Sequence, residues 1–122
     1  RLRCDWSSDV CSSDLISNFI GEFDFGLNGG GELVRLFDAE GGTVDEVDYD
    51  DSSPWPLEPD GNGPTLELIH PSLDNGLGAN WSASNINGGT PGVVNSVYTA
   101  DSSNSLVSGI VINEINYNSA DE

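Results

Sequence analysis

Apolar residues along this chain recur in short alternating runs, and no stretch sustains the 3.6-residue apolar repeat of an amphipathic helix. Alternation sends successive side chains to opposite faces of a strand, so the pattern predicts an all-β fold. Residues 32–38 (Glu-Leu-Val-Arg-Leu-Phe-Asp) read as a strand with Val34 and Leu36 on one face and Arg35 on the other. Ala39-Glu40-Gly41-Gly42 reads as a hairpin turn whose two glycines supply positive φ. Residues 43–49 form the return strand. Val47 and Tyr49 share a face, but Val44 is out of phase with them, which predicts a bulge near Asp45 or Glu46. After the turn-dense Asp60-Gly61-Asn62-Gly63-Pro64, residues 65–69 form a third strand with Leu66 and Leu68 inward. Val34, Leu36, Val47, Tyr49, Leu66 and Leu68 are therefore expected in one buried cluster. Turns at this spacing fit a β-sandwich.

One segment must be removed before composition means anything. Residues 5–15, Asp-Trp-Ser-Ser-Asp-Val-Cys-Ser-Ser-Asp-Leu, are similar to the conceptual translation of a common short-read sequencing adapter. Residues 1–15 are read as non-native on that basis and excluded from the fold. Both cysteines, Cys4 and Cys11, lie there, so neither a disulfide loop nor half a zinc site is supported. The acidic balance survives the exclusion. Three of the 21 acids (Asp5, Asp9, Asp14) and two of the three basic residues (Arg1, Arg3) fall in that segment, which leaves 18 acids against Arg35 alone. Such a field repels phosphate backbones and anionic membranes, so no nucleic-acid partner is expected. It suits a solvated surface in salty or calcium-containing surroundings. The longest apolar stretch, residues 106–115, is interrupted by Ser108, Gly109, Asn113 and Glu114 and predicts no transmembrane segment.

Beyond periodicity, the order of several short motifs resembles a family. Gly30-Gly31-Glu32, residues 34–38, Asp45 and Val47-Asp48-Tyr49 look like the middle of a lamin-tail domain. Trp55-Pro56, Asp60-Gly61-Asn62-Gly63, Leu66-Glu67-Leu68, Asn80-Trp81, Gly89-Thr90-Pro91-Gly92 and Asn95 continue the likeness. Ile112-Asn113-Glu114-Ile115 is similar to the opening strand of such a domain. The resemblance spans residues 19–95 and 110–122, and departs from the family in lacking the first domain's opening strands. It implies an immunoglobulin-like β-sandwich of the lamin-tail type, incomplete and followed by the first strand of a second copy. Residues 16–95 would be the C-terminal part of one domain, 96–109 a polar Ser-rich linker and 110–122 a truncated second domain. A sheet edge missing its strand accepts another, so Val111 to Ile115 is expected to pair with the first module's edge.

Candidate chemistry is sparse. His70, the single histidine, sits between Ile69 and Pro71 at a strand end, and no Gly-x-Ser-x-Gly elbow accompanies it. A surface or capping role is expected of it, and no catalytic residue is expected in the chain. The acidic run from Asp45 to Asp51 invites a calcium reading, with Asp48, Asp50, Asp51 and Asp60 as candidate ligands. Same-face neighbours on an extended strand lie about 6.6–6.8 Å apart, so three in a line cannot share one ion. A site requires Asp50 and Asp51 to turn back toward Glu58 or Asp60. Trp55 and Trp81 are expected in the core, each N–H finding a partner. Asn80-Trp81-Ser82 is also a formal N-glycosylation triplet.

The resemblance implies a non-catalytic extracellular module, secreted or on a cell surface, for adhesion, spacing or targeting within a multidomain protein. Its partner would be a protein or polysaccharide ligand, with no cofactor beyond the calcium reading. The alternatives are an accessory segment of an extracellular enzyme, with a hydrolase, nuclease or spore-coat-type kinase parent, and a calcium-stabilised adhesin repeat.

Overall fold

The computed structural model describes residues 26–100 and 109–117. The adapter-like residues 1–15 and most of the expected linker lie outside the described residues. Five strands, β1 (Glu32–Phe37), β2 (Thr43–Tyr49), β3 (Pro64–Leu68), β4 (Trp81–Asn87) and β5 (Glu114–Ile115), follow in chain order, with one 3-10 turn at Gly78–Asn80. The fold is all-β. β1 and β2 make one antiparallel sheet; β4, β3 and β5 make a second, with β3 in the middle.

The hairpin forms where alternation predicts it. Its turn is closed by Asp38, whose carboxylate accepts from the Glu40 and Gly42 amides (3.1 and 2.6 Å), a local bond that competes with continued strand. Of the two turn glycines, only Gly41 has positive φ (+85°). The register runs from Glu32↔Tyr49 to Leu36↔Asp45 and then jumps to Phe37↔Thr43, so the extra residue is Val44, one place before the expected bulge.

Both sheets contribute to one core of Val47, Tyr49, Trp55, Leu66, Leu68, Trp81, Ile115 and Tyr117, with Val34, Leu27, Leu73 and Ile112 against its margin. Leu36 does not belong to it, contrary to the alternation, and is 36% exposed. The reason is geometric: burial fades along the hairpin from Tyr49 toward the turn, where Phe37 and Val44 are exposed as well. Burying a side chain such as Leu66 or Leu68 contributes about 1.5–3 kcal/mol. Trp55 and Trp81 are both buried, ring centroids 6.0 Å apart. The Trp81 indole N–H donates to the Asn75 carbonyl (2.9 Å), and Gly78 lies so close under Trp55 that a Cβ would come within 2.8 Å of its ring.

β3 departs most from its pattern. Glu67 should point to water between Leu66 and Leu68, yet it is 0% exposed, and Thr65 is buried with it. The chain from Gly89 to Val97 covers that second face. A central strand covered on both sides loses the alternation of exposure that marks a one-sided sheet.

Candidate functional site

β3 holds a neighbour on each edge because successive amides point to opposite sides. The Ile69 N–H donates to Asn80 O (3.0 Å) on the β4 side, while the Leu68 N–H donates to Asn113 O (2.8 Å) on the β5 side. β5 pairs antiparallel, Leu66↔Ile115 and Glu67↔Glu114, so the strand expected from Val111 to Ile115 docks on β3. Only two residues enter the ladder. The remaining specification comes from side chains.

Directly opposed residues share a face, so Glu67 and Glu114 stand side by side with Thr65 under the Gly89-Thr90-Pro91-Gly92 exit. Thr90 bridges the two acids: its hydroxyl donates to Glu67 Oε1 and its N–H to Glu114 Oε1 (3.0 Å). The Thr65 hydroxyl adds a second donor to Glu114 Oε1 (2.8 Å). Ser96 Oγ (2.7 Å) and the Val97 N–H (3.2 Å) satisfy Glu67 Oε2. Charge-assisted bonds of this kind are how a buried carboxylate is tolerated without a cation. Desolvation raises the Glu114 carboxyl above its ordinary value; the bonds from Thr65 and Thr90 oppose the rise and the Glu67 charge adds to it.

Gly89 makes the approach possible. Its φ is +73°, and a Cβ there would overlap Glu114 Oε1 and Thr65 Oγ1 and lie 2.7 Å from Thr65 Cγ2. Asn95 completes the latch from the same segment. Buried itself, it donates from Nδ2 to Leu68 O (2.9 Å) and Asn113 O (2.8 Å), tying β3 to the incoming chain with one side chain.

At the other end, the Ile112 N–H donates to Asp45 Oδ2 (2.6 Å), which also accepts from Asn75 Nδ2 (2.7 Å). Asp45 thus sits just past the Val44 bulge and reaches across to the second sheet. Beyond β5, the Tyr117 ring lies 4.7 Å from that of Tyr49, whose hydroxyl donates to Asn28 O (2.7 Å). The whole is a receptor for an extended segment, reading residues 112–117 by backbone, carboxylate, amide and aromatic contacts. Periodicity missed it. The signals that could have found it are the polar Thr65 and Glu67 on an otherwise apolar strand, and a Gly-Gly-Thr exit with two left-handed glycines.

The expected site residues are placed as follows. Asp48, Asp50, Asp51 and Asp60 are exposed, and among the described residues no group of three or more His, Cys, Asp or Glu side chains is arranged to hold a metal ion. Asp50 accepts from the Ser52 hydroxyl and N–H, which hold its carboxyl below the usual range. Asp60, Asp51 and Asp50 lie within electrostatic reach of the Tyr117 hydroxyl, which desolvation first and then these charges push up to about 12. That hydroxyl is buried and has no hydrogen-bond partner among the described residues. His70 closes a local turn: Nδ1 accepts from the Ser72 N–H (3.1 Å), faces Ser72 Oγ at 2.7 Å, and the ring stacks on Tyr98. The Asn80 side-chain amide donates to Asp74 O (2.8 Å).

Among the described residues no helix is long and apolar enough to cross a membrane. No protein-family model, no characterised protein and no solved structure matches the chain.

Proposed function

We propose that the chain is a non-catalytic, immunoglobulin-like module of the lamin-tail type, serving adhesion, spacing or targeting within a secreted or cell-surface multidomain protein. One observation carries the reading. The residues on which the resemblance rests are scattered from Gly30 to Ile115, yet Glu67, Gly89, Thr90, Asn95, Asn113 and Glu114 meet at one latch, and Asp45 holds the same segment at its other end. A motif set that holds a strand in place suits a scaffold, and the donors on Glu67 and on Glu114 Oε1 are fixed groups of the chain itself. Ligand recognition then falls to the acidic outer surface, toward a protein or polysaccharide.

Retention of the full chain on purified cell-wall polysaccharide and on intact bacterial cells tests this, run beside turnover assays on ester, phosphodiester and glycoside substrates. The expected result is retention without turnover. Turnover that survives repurification and is abolished by His70→Ala in a folded protein overturns the reading.

A further inference from the structure

The receptor along β3 contacts residues 112–117 from elements remote in sequence: Asp45, Tyr49, Thr65, Leu68, Asn75, Thr90 and Asn95. None of these contacts depends on which chain supplies the segment. We propose that the receptor also takes residues 112–117 from a second copy of this chain, giving a reciprocally strand-exchanged dimer. The inference rests on the receptor geometry and not on the lamin-tail reading, so either can fail alone.

The connection is long enough. Thr99 is pinned to β3 by its N–H on Ile69 O (3.2 Å), and Ile112 lies thirteen residues further along. Extended, that stretch reaches about 45 Å. A domain of this length has a radius of gyration of about 14 Å, so the segment can leave its own body and enter a neighbour.

The receptor also demands an occupant. With β5 gone, the Leu68 and Thr90 amides lose their acceptors, the Asn95 amide group keeps Leu68 O but loses Asn113 O, and the cleft that buries Ile115 opens to water. Losing these bonds together with the burial of Ile115 makes the empty receptor the least favourable state, and the choice is between own strand and foreign strand. Those two states differ mainly in entropy. A tether of only thirteen residues gives the strand a local concentration on the order of millimolar, which sets the protein concentration at which exchange competes. The formal net charge of −18 holds copies apart at low ionic strength. Exchange therefore requires salt, because charges are screened beyond about 8 Å at physiological ionic strength.

Two variants of the whole 122-residue chain test the proposal, each with one half damaged. Ile115→Asp spoils the donor strand and leaves the receptor; Gly89→Val fills the receptor and leaves the strand. Refolded together at about 1 mM in 0.3 M NaCl, they should give a heterodimer by light scattering, while each alone stays monomeric. Two separate monomers from the mixture overturn the inference. Since Gly89→Val can fail to fold, the wild-type chain provides the second arm. Refolded at about 1 mM it should elute at twice the monomer mass and return to monomer after dilution and reheating. A wild-type chain that is monomeric at every concentration and salt level overturns the inference as well.

Discussion

Adding one methyl group at Gly89 separates the latch from ordinary backbone strain, because Gly88 beside it supplies the control. Both glycines are left-handed, at φ +79° and +73°. An alanine in that region costs about 1–2 kcal/mol at either position. At Gly88 the new Cβ meets nothing within 4 Å, so the cost stops there. At Gly89 the Cβ overlaps the Glu114 carboxylate and the Thr65 hydroxyl. The carboxylate must move, orphaning the Thr90 N–H and the Thr65 hydroxyl in a buried place at about 1–3 kcal/mol for such a group. Gly88→Ala should therefore cost about 1–2 kcal/mol and Gly89→Ala about 3–5 kcal/mol. A gap near 2 kcal/mol corresponds to roughly 8–16 °C in melting temperature for a domain of this size. Urea unfolding followed by tryptophan fluorescence, which reports the buried Trp55 and Trp81, measures both variants. Equal losses at the two positions would refute the claim that Gly89 exists to admit Glu114.

Glu114→Gln keeps an acceptor for Thr65 and Thr90 but cannot ionise. Because the folded-state pKa of Glu114 is raised, its contribution is complete below the ordinary value of 4.5 and is lost as pH rises through the raised one. The variant should gain on the wild type in unfolding midpoint between pH 4 and pH 7, and a constant difference across that range contradicts the burial argument. Asn95→Asp preserves shape but replaces the donor that serves Leu68 O and Asn113 O with a charge; a loss of about 2–4 kcal/mol at pH 7 is expected, and a midpoint within error of wild type rules out the clamp. Calcium should raise the melting temperature no more than magnesium at equal concentration, through screening alone; a calcium-specific rise removed by chelator, and lost in Asp50→Asn or Asp60→Asn, establishes the calcium-stabilised alternative.

Period-two alternation made the hairpin and β3 legible, because β1, β2 and β3 carry enough β-branched and apolar residues to show it. β4 was not legible. In Trp81-Ser-Ala-Ser-Asn-Ile-Asn87 the polar residues hide the period, and its place is held by backbone pairing to β3. Leu36 misled for the opposite reason, since alternation gives a face but not how far the opposing sheet extends under it. Glu67 was hidden because a charged residue between two leucines normally marks the solvent side, and only the covering segment 89–97 reverses that. The contacts that seat residues 112–117 come from positions as far apart as Asp45 and Asn95, and no local pattern encodes contacts across that separation. What the chain does carry locally is each half of the fit: glycines that permit approach, a threonine that bridges and an asparagine that clamps.

Hydrogen exchange at three backbone amides tests the receptor most directly. The Leu68, Thr90 and Ile112 amides donate respectively to Asn113 O, Glu114 Oε1 and Asp45 Oδ2, so all three bonds exist only while residues 112–117 are seated. The Ile69 amide, bonded to Asn80 O on the other edge of β3, is the internal reference. Protection of all three close to that of Ile69, falling together in Glu114→Lys while Ile69 holds, is the expected result. Random-coil exchange at Leu68, Thr90 and Ile112 in a wild-type chain whose Ile69 is protected would contradict the account.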